Sequence, residues 1–209
     1  MSHPIAAPKP LVALALAAVL MGGALSGCTP AGVAVGAAAS AGVVAAQERP
    51  VSAAIDDVAT EVEINALYLE HSTTLFIDVS VDSVEGRVLL TGKVEKPDTR
   101  IDAARLAWQA GGVLEVMNEI EVTDQSGLLD YSRDVWISTQ LRSELLLDKH
   151  VRSINYSVET VNGVVYLMGV AQHQSELERV VGHARDIAYV RRIVSYVRLK
   201  DAGAAPPTS

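Results

Sequence analysis

The sequence predicts an α+β protein with two tandem copies of one α-β-β-α-β module, each a small three-stranded sheet packed by two helices. The first observation is an internal repeat, in which residues 82–92 align without a gap with residues 159–169, 77 positions later. The second is a change of apolar period within each copy, from helical spacing to strict alternation and back. The third is a glycine-containing pair between two apolar runs, which indicates a hairpin.

The repeat defines the domain organisation. The same offset relates further residues of matching type, namely Asp57 and Asp134, Ile64 and Leu141, Ala107 and Ala184, and Val113 and Val190. We therefore place module one at 56–124, a linker containing Gly127 at 125–132, and module two at 133–200.

Each module is predicted to begin with a helix. Ile137, Leu141 and Leu145 follow one another at four-residue spacing and would lie on one buried helix face. Module one has a less regular version of this pattern, made of Val58, Ile64, Leu67 and Tyr68.

A hairpin is predicted next. The first strands carry alternating apolar residues, which are Ile77, Val79 and Val81 in module one and Ile154, Tyr156 and Val158 in module two. The second strands span 87–92 and 164–169. Asn162-Gly163 separates the strands of module two and is typical of a type I′ turn, because both central residues of that turn need positive φ.

A second helix, at about 98–110 and 174–187, and a last strand, at about 115–122 and 192–199, complete each module. The apolar surface predicted for the two helices consists of Ile101, Ala104, Leu106 and Trp108 in module one, and Leu177, Val180, Val181, Ala184 and Ile187 in module two.

Residues 1–27 are predicted to be a lipoprotein signal peptide. The apolar run 11–24 is shorter than the roughly 20 residues that a membrane-spanning helix needs. It is followed by Leu25-Ser26-Gly27-Cys28, which resembles the bacterial lipobox and implies acylation of Cys28. Thr29 follows the cysteine, which by that resemblance implies the inner leaflet of the outer membrane, facing the periplasm. The alternative is an uncleaved anchor with a chance cysteine.

The segments outside the modules have biased compositions. Residues 28–55 would be a tether after the lipidated cysteine, since 31–46 are almost entirely Gly, Ala, Val and Ser. Alternatively, small residues at four-residue spacing could form a helix face for close packing. The tail 201–209 is predicted to be disordered.

Each module carries Gly-x-Val-x-Leu-x-Gly, at Gly86–Gly92 and at Gly163–Gly169. This motif and the element order resemble the BON domain, most strongly over 134–139, 141–143 and 162–169. The resemblance implies a non-enzymatic periplasmic module with a role in envelope integrity and cell division. It also implies binding of anionic phospholipid, mainly through the first helix of the second copy.

Charge is divided unequally between the modules. The chain has net charge −8, yet module one holds fifteen acidic against five basic residues, net −10, and module two holds seven against ten, net +3. An anionic membrane would therefore repel module one and either tolerate or attract module two.

The first helix of module two is the predicted phospholipid-binding site. Trp136, Gln140, Ser143 and Leu147 would share a face rotated away from the core, and Arg133, Arg142, Lys149 and Arg152 would supply charge. The position equivalent to Trp136 in module one is Ala59, so the module itself does not require an aromatic residue there. The alternatives are a solvated basic face and a tryptophan packed against the other copy or the linker. A separate alternative for the whole protein is an adaptor that binds envelope proteins through acidic module one, with Trp136 as an interface anchor.

Other functions are not indicated. The five histidines are scattered, and the single cysteine lies in the lipobox, so we predict no enzyme activity, metal or cofactor. The net negative charge argues against nucleic-acid binding. The oligomeric state and any protein partner are not determined by the sequence.

Overall fold

The computed structural model describes residues 51–123 and 128–200. The predicted signal peptide, Cys28, most of the tether, Gly127 and the tail lie outside the described residues. The described residues belong to one compact unit within Val44–Ser209.

Module one follows the predicted order with one extra helical turn and a divided last strand. Its strands β1 and β2 are antiparallel, and β3 and β4 both run parallel to β2. The elements are α1 (Val51–His71), α2 (Thr73–Asp78), β1 (Val79–Val84), β2 (Arg87–Val94), α3 (Pro97–Ala107), β3 (Glu115–Asn118) and β4 (Glu121–Val122).

Module two repeats this arrangement with a continuous last strand. Its strands β5 and β6 are antiparallel, and β7 runs parallel to β6. The elements are α4 (Leu128–Leu147), a 3₁₀ turn (Ser153–Asn155), β5 (Tyr156–Val161), β6 (Val164–Ala171), α5 (Gln174–Asp186) and β7 (Arg192–Leu199).

Several predicted bounds differ from the structure. Ile77 and Ile154 lie in short helical turns instead of strands. For Ile77 the cause is a local cap, because the Ser72 side chain accepts a hydrogen bond from the amide of Leu75 and stabilises α2. Helix α1 begins at Val51 and α4 at Leu128, in segments predicted as tether and linker.

The packing face of α3 also differs from the prediction. Ile101 and Trp108 are exposed, whereas Ala103, Leu106 and Ala107 face the core. Small residues on this face allow α3 to lie close to the sheet, so the larger apolar side chains were the wrong guide to its orientation.

Each module has its own helix–sheet core. In module two the predicted stripe Ile137, Leu141 and Leu145 is buried and packs on β5, β6 and α5. In module one Tyr68 is fully buried, and its hydroxyl donates to the carbonyl of Ala103 at 2.9 Å, which ties α1 to α3.

A third core joins the modules. Leu89 of β2 and Tyr166 and Met168 of β6 point away from their own helices and pack between the two sheets. The other buried members of this inter-module core are Val84, Met117, Val161 and Val170. Each such side chain contributes about 1.5–3 kcal/mol when buried. The sheets therefore pack face to face, with the helices on their outer sides.

Polar contacts around the inter-module core relate the modules as in a symmetric dimer. Arg198 donates a hydrogen bond to Glu85 at 2.8 Å. The repeat equivalents of these two residues, Glu121 and Asn162, are hydrogen-bonded to each other as well. Glu119 and Tyr196 occupy equivalent positions of the repeat, and they contact each other, because the hydroxyl of Tyr196 donates a hydrogen bond to Glu119. Reciprocal contacts of this kind define an isologous interface, here formed within one chain.

The aspartates at equivalent positions of the first helices hold the hairpins. The carboxylate of Asp134 accepts hydrogen bonds from the amides of Asn162 and Gly163, each at 2.8 Å. Asp57 does the same for the hairpin turn of module one. The repeat thus preserves a buried carboxylate that fixes each hairpin to its first helix.

Glycine is required at both ends of the BON-like motif. Asn162 and Gly163 have φ of 50° and 72°, as predicted for a type I′ turn. At the other end Gly169 has φ of 144°, and a Cβ there would lie 2.0 Å from the carbonyl oxygen of Asn155. The motif is therefore explained by close backbone approach.

Replacing Gly169 tests this explanation. We expect Gly169→Ala to lower the free energy of unfolding by more than about 3 kcal/mol, because both the φ angle and the backbone contact forbid a side chain. The matched control is Gly182→Ala in α5, where a Cβ meets nothing within 4 Å and a helical alanine is favoured. Similar urea midpoints for the two variants would show that the backbone at Gly169 tolerates a side chain.

Candidate membrane-binding site

The outer face of α4 carries an exposed surface with large apolar side chains. Trp136, Gln140, Ser143 and Leu147 are all exposed, the indole by 45% and Leu147 by 80%. The prediction that they point away from the core is confirmed. Leu129 adds further exposed apolar area, whereas the exposed Val135 and Leu146 lie on the flank of the helix that carries Arg142.

The polar side chains on this face are satisfied within the helix. Gln140 donates to Glu144 at 2.9 Å, and the Ser143 hydroxyl donates to the carbonyl of Thr139 at 2.8 Å. These groups can therefore approach an apolar phase at a lower cost than unpaired polar groups.

Trp136 belongs to an aromatic and cationic cluster. Its ring meets the ring of Tyr189 edge-on, with centroids 6.1 Å apart. The guanidinium of Arg133 lies over the same tyrosine ring, 5.4 Å from its centroid, and also pairs with Asp130 at 3.3 Å. The contact of Trp136 is thus within module two.

A cleft of about 190 Å³ opens beside this cluster. Arg133, Tyr189 and Arg191 line it, together with the hairpin turn at Asn162 and Gly163. The side chain of Arg191 has no hydrogen-bond or ion-pair partner among the described residues. Asp130 and Asp134 also line the cleft, but Asp130 pairs with Arg133, and Asp134 accepts hydrogen bonds from the amides of Asn162 and Gly163. The charge left without a partner beside the exposed ring of Tyr189 is therefore that of Arg191.

Tyr189 is the residue that the sequence prediction missed. It has φ of 70°, a left-handed conformation that costs a non-glycine residue about 1–2 kcal/mol. Its repeat equivalent is Gly112, which has φ of 82°. Comparing the two copies at this position, a glycine against a tyrosine, would have singled it out.

The predicted cations do not all join this surface. Arg142 points to the opposite flank of α4, where it donates to Glu159 at 2.8 Å and to the carbonyl of Val158. Lys149 lies just beyond the helix and is exposed, without a hydrogen-bond or ion-pair partner among the described residues. Arg152 lies farther along, and its amide donates to Glu176.

Arg142 balances two carboxylates between the modules. Burial raises the pKa of Asp82 despite a hydrogen bond from Ser157, and burial together with the charge of Asp82 raises the pKa of Glu159. These carboxylates occupy equivalent positions of the repeat. Arg142 therefore bonds to β5 of its own module, and its charge, which lowers the pKa of Asp82 in module one, assigns it to the inter-module interface.

The end of α4 is fixed to α5 by a histidine. The two ring nitrogens of His183 lie 3.2 Å from Glu144 and 2.9 Å from Asp148. The hydrogen bond with His183, together with the amide of His150, lowers the pKa of Asp148 to about 2. This cluster positions the last turn of α4, where Leu146 and Leu147 are exposed.

Module one presents a different surface at the corresponding positions. Asp56, Ala59 and Gly112 replace Arg133, Trp136 and Tyr189, so neither the cation nor the aromatic rings are present. Helix α1 instead exposes a stripe made of Ile55, Val58, Val62 and Leu69.

The described parts of the chain contain neither a membrane-spanning helix nor a metal-binding cluster. Over 51–123 and 128–200, none of the helices combines the length and hydropathy needed to cross a membrane. The same residues contain no group of three or more acidic, histidine or cysteine side chains arranged to hold a metal ion.

Comparisons with known proteins agree with the fold. Residues 56–124 and 133–201 each match the family profile described as the BON domain. The chain is 32% identical to the outer membrane lipoprotein DolP of Haemophilus influenzae, covering 88% of this chain and 95% of that protein. It is 45% identical to an uncharacterized protein in the gshII 5′ region of Anaplasma centrale (70% and 96% covered). It is also 27% identical to osmotically-inducible protein Y of Escherichia coli (70% and 74% covered).

The assignment of Arg142 to the inter-module interface predicts a pH-dependent effect on stability. We expect Arg142→Ala to lower the free energy of unfolding by about 1 kcal/mol at pH 7, because its half-exposed guanidinium offsets two ionised carboxylates. Folding raises the pKa of both acids, so in their ionised forms they destabilise the folded state. As the pH falls through the raised pKa values, the acids become protonated and this destabilisation disappears.

The loss caused by Arg142→Ala should therefore shrink at pH 4, as measured by urea denaturation at the two pH values. Lys149→Ala is the control and should change stability at neither pH. An equal loss for Arg142→Ala at both pH values would contradict the assignment.

Proposed function

Because this chain belongs to the BON domain family, we propose that it is a periplasmic lipoprotein of the outer membrane that binds anionic phospholipid through module two. The similarity to a protein named as an outer membrane lipoprotein supports the compartment. The lipobox-like string ending at Cys28 supports the anchor. The proposed role is non-enzymatic and serves envelope integrity.

The observation that carries the proposal is the outer face of α4. It combines exposed Trp136 and Leu147 with the cation Arg133 at one edge. A helix with these features lies in the interfacial region of a bilayer, with aromatic rings at the level of the headgroups. Each basic residue close to an anionic surface adds about 1 kcal/mol.

The proposed anchor and helix would act together. A single acyl chain binds a membrane only marginally, and stable attachment takes a second signal. Acyl chains on Cys28 would hold the protein at the membrane, and α4 would then respond to the local density of anionic lipid. Net charge −10 on module one would orient module two toward the bilayer.

An alternative function is supported by module one. Its exposed stripe on α1, formed by Ile55, Val58 and Val62, lies among acidic residues such as Asp56 and Glu63. An apolar stripe of this kind with a negative rim fits a basic amphipathic helix of another envelope protein. In this alternative the chain is an adaptor, and its binding does not require lipid.

Vesicle co-sedimentation tests the proposed function. The fragment Val44–Ser209 contains all three cores and is expected to fold without residues 1–43. We expect it to sediment with vesicles containing phosphatidylglycerol and not with pure phosphatidylcholine, and to be released by 0.5 M salt, a concentration at which screening acts over about 4–5 Å.

Trp136→Glu should weaken this binding at least tenfold, about 1.4 kcal/mol, because it places a negative charge at the membrane interface. The matched control is Trp108→Glu, which alters the other half-exposed tryptophan, in module one, and should leave binding unchanged. Equal binding to both vesicle types, or equal effects of the two variants, would contradict the proposal. Binding to neither vesicle type would contradict it as well and would favour the adaptor.

A further inference from the structure

We propose that Tyr189, Arg133 and Arg191 form a binding subsite for the phosphate of an anionic phospholipid headgroup beside α4, which we call the headgroup seat. This inference rests on the proposed function and adds a subsite that lies outside the helix. Three independent observations support it: the backbone conformation of Tyr189, the exposure of its side chain, and the charges that surround it.

The backbone of this loop favours glycine over tyrosine. The carbonyl oxygen of Tyr189 would lie 2.8 Å from a Cβ at Gly163, and the amide of Arg191 donates to the carbonyl of Gly163 at 2.8 Å. These contacts hold the loop against the hairpin and fix its left-handed residue. Module one builds the same loop against Gly86 and places Gly112 at that position. A purely structural role would thus be served better by glycine.

The tyrosine side chain gains little from burial. It is 64% exposed, and its ring contacts are to Trp136 and Arg133, which are themselves exposed. The strain of the left-handed conformation is therefore not balanced by core packing. A strained, exposed aromatic residue is typical of a position that contacts a ligand.

The charges around Tyr189 favour an anion as the ligand, because both acidic side chains that line the cleft already have partners. Asp130 pairs with Arg133, whereas Asp134 accepts hydrogen bonds from the amides of Asn162 and Gly163 and lies 3.6 Å from the ammonium of Lys93. Arg133 and Arg191 both line the cleft of about 190 Å³, and the guanidinium of Arg191 has no side-chain partner among the described residues. Asp130 pairs with one terminal nitrogen of Arg133 and leaves the others available. Guanidinium groups bind phosphate oxygens in a bidentate manner, while the adjoining rings suit the glycerol region of a lipid.

The test exchanges Tyr189 for the residue that module one uses. In Tyr189→Gly of the fragment Val44–Ser209, we expect the unfolding midpoint to be equal to or higher than that of the wild type, because the strain is relieved. Binding to phosphatidylglycerol vesicles should weaken by about three- to tenfold. Tyr189→Phe retains both the ring and the strained backbone and should bind within twofold of the wild type.

The outcomes separate this inference from the proposed function. If the wild type does not bind phosphatidylglycerol vesicles, the proposed function fails, and the headgroup seat fails with it. If the wild type binds and Tyr189→Gly binds equally well, only the headgroup seat is overturned. A lowered midpoint in Tyr189→Gly would show a structural role and also overturn it. Competition by millimolar glycerol phosphate would indicate a seat for free phosphate and overturn the lipid assignment.

Discussion

The packing of one sheet against the other is the constraint on which the rest of this structure depends. Leu89, Tyr166 and Met168 would be exposed if either module stood alone, and together they form the core between the sheets. Because the inner faces of both sheets are used in this way, the outer faces of the helices remain for partners. The contacts between Glu119 and Tyr196 strengthen the arrangement, since burial and the neighbouring carboxylate raise the pKa of the tyrosine to about 12 and keep it a donor.

Internal symmetry gives the two helical surfaces equivalent positions, and the sequence makes them chemically different. Arg133 and Trp136 stand where module one has Asp56 and Ala59. The buried aspartates that hold the hairpins are unchanged between the copies, because the fold requires them. Divergence is therefore concentrated where it does not disturb the cores. Under the proposed function, this difference leaves one aromatic surface with exposed arginines to meet an anionic bilayer and one acidic surface that the same bilayer would repel.

The sequence was a good guide to the fold and a partial guide to the site. The repeat, the Asn162-Gly163 turn and the stripe on α4 predicted the module order, because each reflects local periodicity or φ preference. The extra turn at Ile77 depends on a cap from Ser72, which alternation alone does not reveal. Trp136 was placed correctly on an outer face by helical spacing. Arg142 and Tyr189 could not be placed, since Arg142 pairs with a neighbouring strand close to Asp82 of the other module, and Tyr189 meets side chains of α4 that are far away in the sequence.

The central claim is that α4, and not module one, enters the membrane interface. The chain has two tryptophans, Trp108 in module one and Trp136 in module two, both about half exposed. The most direct measurement is tryptophan fluorescence of the variants Trp108→Phe and Trp136→Phe with vesicles that contain phosphatidylglycerol and brominated lipid. The account predicts a blue shift and quenching of Trp136 and no change for Trp108. Quenching of both residues alike, or of Trp108 alone, would contradict it.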